Sequence, residues 1–264
     1  MPLAAPFHTL RAWLIDMDGV LYRGDEPLPG AAALVAALQT EGHPFLFLTN
    51  NATRTPAQYV AKLARMGIHV DADRVFTSPL ATAAYLRRHY PPPRRVLVVG
   101  GDGIRQAVDE AGYERVRCAE EADLVVAGLD QSVCYDQLAE ASLAIAAGRP
   151  FIATNPDRTV PSERGNMPGA GAILAFLEAA GGRRPLVIGK PEPGIFEAAL
   201  NHLGVSAAEA VMVGDRLETD ILGGHRAGLR TICVLTGIST RAQAEAFDPR
   251  PDWIVPDLGA LLAV

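Results

Sequence analysis

The stretch Ala12-Trp13-Leu14-Ile15-Asp16-Met17-Asp18-Gly19-Val20 decides how the chain is read. An apolar run leads straight into two aspartates two apart, and a glycine follows. A short apolar run of this kind predicts a buried strand over 12–15. Two carboxylates at a strand exit can converge on one metal ion or one substrate, and Gly19 lets the chain turn sharply there. A pair of ordinary turn aspartates gives the same string. In open α/β sheets the functional crevice lies outside the carboxyl ends of the strands. The residues at the other strand exits therefore matter most.

Working outward, short apolar runs alternate with amphipathic stretches. A helix is predicted over 31–38, between Gly30 and Gly42, and a strand over 44–48. Thr55-Pro56 pairs an N-cap with a proline at the first helical position, Gly67 closes that helix, and Ser78-Pro79 repeats the device. Strands follow at 95–99, 124–127 and 151–153, with helices at 103–111, 135–147 and 171–180. Gly181-Gly182-Arg183-Arg184-Pro185 is the best linker candidate. Beyond it come strands at 186–188, 210–213, 231–235 and 253–255, with helices at 194–203 and near 220–227. Ser206 and Glu209 have capping-box spacing but precede a strand, so only a turn is expected. Strand–helix alternation of this kind predicts an α/β fold whose parallel sheet is covered on both faces.

The chain has 264 residues, 49% of them hydrophobic and 20% charged, which is ordinary globular composition and excludes extensive disorder. The net charge of −6, with no basic block, argues against a nucleic-acid or acidic-membrane surface. No uncharged run is long enough for a membrane helix, and no basic segment precedes an apolar one at residues 1–10, so no cleaved leader is expected. Three widely spaced cysteines suggest neither a disulfide framework nor a zinc site, and a cytoplasmic location is the simplest expectation. Of the 24 cationic residues only Lys62 and Lys190 are lysines.

Three further strand exits carry polar clusters. Thr49-Asn50-Asn51 offers a hydroxyl, two amides and backbone N–H groups, which suit phosphate oxygens or make a plain polar loop. In Gly189-Lys190-Pro191 the proline holds Lys190 out of the following helix, so a compact ammonium stands at the exit. A solvated surface lysine is the plainer alternative. In Gly214-Asp215-Arg216-Leu217-Glu218-Thr219-Asp220, Asp215 ends a strand and Asp220 stands where a helix would begin. Carboxylates so placed suit a hard cation such as magnesium, or simply a turn and an N-cap.

Taken together and in this order, the four clusters resemble the haloacid dehalogenase (HAD) superfamily of aspartate-nucleophile phosphatases. DMDGV matches its first motif, LTNN the second, GKP the third, and GD with a later aspartate the fourth. More narrowly the chain resembles the NagD-like, 4-nitrophenylphosphatase branch of subfamily IIA. Leu21-Tyr22-Arg23-Gly24, Pro168-Gly169-Ala170-Gly171-Ala172 and the insert of about a hundred residues between the second and third motifs all fit that branch. The resemblance implies a doubly wound, Rossmann-like core over 1–83 and 184–264, with a smaller α/β cap domain inserted over 84–183.

It also implies a magnesium-dependent phosphomonoesterase acting on small phosphate esters through an aspartyl-phosphate. Asp16 would be the nucleophile, and Asp18 the group that protonates the leaving alcohol and then activates water. Mg2+ would be held by Asp16, the Asp18 carbonyl and Asp215, with Asp220 orienting the metal shell. Thr49, Asn50, Asn51 and Lys190 would hold the transferring oxygens. In the turn-rich stretch 154–169, Asn155, Asp157 and Arg158 form a polar face, and Asn155 and Arg158 are candidate substrate contacts. Arg158 would alternatively pair with Asp157 or Glu163. Gly100-Gly101-Asp102-Gly103 lacks the spacing of a nucleotide fingerprint and is expected to be a plain turn. The expected partner is a small phosphorylated metabolite, with neither nucleic acid nor membrane. Relatives often form homodimers, though nothing in the sequence marks a self-complementary patch. Asp18 argues against a dehalogenase. A phosphomutase or a ligand-sensing protein on this scaffold remains open.

Overall fold

Ala12, Trp13, Leu14 and Ile15 are all fully buried. A strand apolar on both faces must be covered on both faces, as in a parallel sheet packed between helices. The computed structural model, which describes residues 1–162 and 164–263, has that architecture. The chain forms two compact units. One comprises Met1–Thr49, Pro56–Phe76 and Lys190–Val264, and the other Asn50–Thr55 and Thr77–Gly189. The second unit begins at 77 because the helix Ser78–His89 packs on the helix Asp102–Glu110. It takes in 50–55 because a Cβ on Gly103, in that helix, would come within 2.6 Å of the Ala52 carbonyl oxygen.

The first unit is built on a six-stranded sheet in the order Trp253–Val255, Arg230–Val234, Ala210–Gly214, Ala12–Ile15, Phe45–Thr49, Val75–Thr77. The first five of these strands pair in parallel. The chain starts in the middle, moves outward on one side, and later returns to the other. Such a switch point opens a crevice at the strand ends. The register keeps those ends level. Ile15 lies opposite Val213 on one side and Phe47 on the other, and Gly214 lies opposite Cys233. Beneath the ends, Trp13, Ile15, Phe47, Val211 and Val213 join Leu34 and Leu38 in one core. Each such fully buried side chain contributes roughly 1.5–3 kcal/mol.

The second unit has a five-stranded parallel sheet in the order Leu186–Val187, Phe151–Ala153, Leu124–Ala127, Arg95–Val99, Glu114–Val116. Leu97, Val99, Val125, Ile145 and Leu177 fill its core. The stretch read from sequence as a loop over 154–169 contains an antiparallel hairpin, Thr159–Ser162 with Gly165–Pro168. Thr159 and Val160 favour a strand, and Gly165 supplies a positive φ of 104° close to the turn. Glu163, one expected partner of Arg158, lies outside the described residues.

The helix Ser78–His89 is capped by Thr77, whose hydroxyl accepts from the Leu80 N–H at 3.4 Å, and not by Ser78. Ser78 instead donates its hydroxyl to the Asn50 carbonyl at 2.8 Å. Short elements that escape the sequence reading include the hairpin Tyr22–Arg23 with Glu26–Pro27, the strands Val75–Thr77 and Glu114–Val116, and the helix Arg241–Ala246. Among the described residues no helix is long and apolar enough to cross a membrane.

Candidate active site

The site in the first unit assembles from the level strand ends. Asp16 donates its backbone N–H to the Val213 carbonyl at 2.9 Å, which carries the sheet pairing one residue past Ile15. Lys190 sits among the exits with its side chain 3% exposed. Its ammonium donates to Asp16 Oδ1 at 2.6 Å and to the Leu48 carbonyl at 3.2 Å. It also pairs with Asp220 Oδ1 at 2.7 Å. Lys190 is thus a buried cation linking the first and fourth motifs, not a solvated surface lysine. The flanking carboxylates raise its pKa against the pull of burial.

Asp220 lies inside a π-helical turn, Leu217–Ile221, where the sequence suggested the start of a helix. Single π turns are frequent at functional sites. The turn lets the Arg216 N–H donate to Asp220 Oδ2 at 3.1 Å while Oδ1 faces Lys190. The Asp220 side chain fills the space where Gly214 lacks a Cβ.

Asp215 is held from the other side. The Ile238 N–H donates to its Oδ2 at 2.9 Å, and the Ser239 N–H donates to its backbone carbonyl at 3.2 Å. Two glycines make room for it. A Cβ on Gly19 would stand 2.5 Å from Oδ2, and one on Gly237 would collide with the whole carboxymethyl group. The other oxygen, Oδ1, is buried without a hydrogen-bond partner. Burial, followed by the charge of Asp220, lifts the Asp215 carboxyl to about 6, and the Ile238 N–H partly opposes this. Burial likewise drives Asp16 well above the ordinary carboxylate range despite Lys190.

Asp16, Asp215 and Asp220 each present an oxygen, and these oxygens lie within 4.8 Å of one another. Fully ionised, three carboxylates against one ammonium would leave two surplus negative charges, 3 − 1, in a dry setting. An all-oxygen donor set, an orphaned Oδ1 and a deficit of two positive charges fit a hard divalent cation. Thr49 ends the strand Phe45–Thr49 and is buried. Asp18 is exposed, with the Tyr22 hydroxyl 3.5 Å from its Oδ2.

The remaining expected residues belong to the second unit. Asn50 is buried, and its carbonyl accepts from Ser78 Oγ and from Asn155 Nδ2, each at 2.8 Å. Its own Nδ2 donates to Asp157 Oδ1 at 3.3 Å. Asn51 Oδ1 accepts from the N–H and the hydroxyl of Thr53, which closes a turn. Asn155 is buried, so the expected polar face is split: Asn155 turns inward onto Asn50 while Arg158 is exposed. Gly237 and the Ile238 N–H were not singled out from sequence. Their signal was available, because Thr236-Gly237-Ile238 follows the strand Arg230–Val234 at one more sheet exit.

Residues 13–114 match the model described as haloacid dehalogenase-like hydrolase, and residues 187–261 match the related HAD-hydrolase-like model. The acid sugar phosphatase of Staphylococcus epidermidis is 41% identical over 253 residues, covering 96% of this chain and 97% of its own. The chain belongs to the haloacid dehalogenase-like hydrolases. Among solved structures, NagD from E. coli superposes with a TM-score of 0.89 at 36% identity, over 95% of this chain and 98% of that one. A glycerol phosphate phosphatase from Mycobacterium tuberculosis, solved in complex with magnesium, gives 0.91 at 37% identity, over 97% and 77%. This member of the family is a phosphatase of the NagD-like, 4-nitrophenylphosphatase branch.

Proposed function

We propose that the chain is a magnesium-dependent phosphomonoesterase for small phosphate esters, working through an aspartyl-phosphate on Asp16. One observation carries the reading. The Asp16 carboxylate is held at 2.6 Å by a buried ammonium, beside an Asp215 oxygen that has no hydrogen-bond partner. Lys190 fixes the orientation of the nucleophile and offsets its charge. Its third proton, on the Leu48 carbonyl at 3.2 Å, is the one most easily exchanged for a phosphate oxygen. Thr49 and the N–H groups of 50 and 51 supply further donors for the transferring oxygens. Asn155 acts through Asn50 by fixing its carbonyl, and Arg158 is a candidate contact for a second anionic group on the substrate.

Asp16, Asp215 and the Asp18 carbonyl would hold Mg2+, with Asp220 orienting that shell. When bound, the ion screens the repulsion between an anionic nucleophile and an anionic phosphate. Asp16 then attacks phosphorus and the ester oxygen leaves with a proton from Asp18. Asp18, now ionised, takes a proton from water, whose oxygen attacks the phosphoryl group and frees Asp16. The names of the relatives point to sugar and glycerol phosphates as the first natural esters to try, with phosphoglycolate and nucleoside monophosphates beside them. A reducing, cytoplasmic setting suits the three free cysteines.

Phosphate release from 4-nitrophenyl phosphate, for wild type and Asp16→Asn with magnesium and with chelator, tests the reading. Turnover should need both the metal and Asp16. Ligand binding without turnover in wild type would favour a sensor, and turnover only with a phosphorylated acceptor would favour a mutase.

A further inference from the structure

Gly19 is required where it stands and is also the residue least able to hold its own conformation. Its φ is +84°, and a Cβ there would meet Asp215 Oδ2 at 2.5 Å and the Cα of Gly237 at 3.2 Å. Only glycine fits, and glycine has the widest choice of φ and ψ. That freedom bears on the residue before it. The Asp18–Gly19 peptide is trans, so the Asp18 carbonyl points opposite to the Gly19 N–H. Whatever fixes the peptide planes on either side of the Gly19 Cα therefore fixes the direction of the Asp18 carbonyl.

Two hydrogen bonds do this, one on each plane. The Gly19 N–H donates to the Tyr22 carbonyl at 2.8 Å, a local bond that closes the turn. The Gly19 carbonyl accepts from the Thr236 hydroxyl at 2.7 Å, a bond that spans 217 residues of chain. Thr236 opens the stretch that holds Asp215. Its own carbonyl accepts from the Arg23 guanidinium. The next residue, Gly237, leaves the space that the Asp215 carboxylate fills, and the Ile238 N–H donates to Asp215 Oδ2 at 2.9 Å. Thr236 is thus tied to the 18–23 turn through both its side chain and its backbone. The amide that grips Asp215 cannot shift without pulling on that turn.

We infer that Thr236 is a positioning residue for the metal site: its hydroxyl clamps Gly19 and so sets the spacing between the Asp18 carbonyl and the Asp215 carboxylate. This rests on the reading that those two groups hold Mg2+. Magnesium demands near-octahedral oxygens at about 2.0–2.1 Å, whereas calcium accepts more oxygens, at about 2.3–2.6 Å, in flexible geometry. A clamp that fixes the spacing of two ligands therefore favours the smaller ion. Losing the clamp should cost magnesium more than calcium.

The test is calorimetric titration of the full chain with Mg2+ and with Ca2+, without substrate. Asp215→Asn is measured first and should lose most of the affinity for either ion. Thr236→Val puts a methyl in place of the hydroxyl and should lower Mg2+ affinity about tenfold, as expected when the support of a metal ligand is removed. Ca2+ affinity should fall less, so the ratio of Mg2+ to Ca2+ affinity drops. Thr236→Ala deletes the hydroxyl without adding a methyl and should match Thr236→Val, which covers the case in which the valine protein fails to fold. Thr236→Ser keeps the hydroxyl and should restore the ratio. In phosphate release from 4-nitrophenyl phosphate, the Mg2+ concentration for half activation should rise by the same factor in Thr236→Val, with kcat at saturating metal largely retained. A purely structural role would lower the melting temperature in chelator and leave the ratio alone. If Asp215→Asn loses the metal while the variants without the hydroxyl keep the wild-type ratio, the inference fails and the metal reading stands. If wild type binds neither ion, or Asp215→Asn binds as wild type does, the metal reading falls and takes the inference with it.

Discussion

Replacing Gly237 by alanine should weaken magnesium activation by about 100-fold without replacing a ligand. The new methyl would overlap Oδ2, Cγ and Cβ of Asp215, and would fall short of ordinary van der Waals separation by more than about 1 Å. Rotating the carboxylate cannot relieve a clash that includes its own Cβ. Asp215 is 1% exposed, so it has no solvent to swing into, and its Oδ2 is tied to the Ile238 N–H at 2.9 Å. The carboxylate or the 236–239 backbone must move by about an ångström. Magnesium requires oxygens close to 2.0–2.1 Å in near-octahedral geometry and does not follow such a shift. Perturbing the support of a metal ligand typically costs ~10–100-fold in affinity, and moving the ligand itself should reach the upper end of that range. The assay is phosphate release against magnesium concentration, with calorimetric titration of the metal as a second readout. The fold should survive, because the backbone at 237 does not need a positive φ. Unchanged magnesium activation in a folded Gly237→Ala protein would refute the argument that Asp215 is wedged in place to bind the metal.

Other consequences can be checked alongside. Lys190→Met removes the cation from between Asp16 and Asp220, and should lower kcat by at least about 10³-fold, given that a single such donor is worth 10²–10³. Kinetics with 4-nitrophenyl phosphate decide this. Because Asp215 is raised from 3.8 to about 6 in the folded protein, its contribution to stability is full below 3.8 and is lost as pH climbs through about 6 in chelator. Since the metal needs the ionised carboxylate, magnesium should recover that loss above pH 6, and its affinity should fall about tenfold per unit below it. Melting curves across pH, with magnesium and with chelator, test both directions. Gly103→Ala drives a methyl against the Ala52 carbonyl oxygen and should cost about 1–3 kcal/mol in denaturant unfolding, with a raised KM from the displaced 50–55 segment.

Much of this was legible in the sequence because the signals were local. The run 12–15 reads as a buried strand, and Asp16 follows from it. Glycine–proline punctuation located most helices to within a residue or two. What was hidden depends on distant chain segments. Nothing near Gly237 says that Asp215, 22 residues earlier, will occupy its missing side chain. The split of Asn155 from Arg158 is a matter of burial, and a polar face drawn from neighbouring residues cannot show which side chain turns inward. Thr77 and Ser78 are both plausible caps by type, and the choice is made by the Asn50 carbonyl that claims Ser78. The Thr236 hydroxyl meets the Gly19 carbonyl across 217 residues of chain, for which no spacing rule exists.

The most direct test of the account is to mix enzyme with a phosphate ester in magnesium, quench in acid within the first turnovers, and find the phosphoryl group by peptide mass analysis. The account predicts one phosphoryl group on the peptide that carries Asp16, acid-stable enough to isolate and absent from Asp16→Asn. A phosphoryl group on another residue would contradict the central claim, and so would turnover by Asp16→Asn at the wild-type rate.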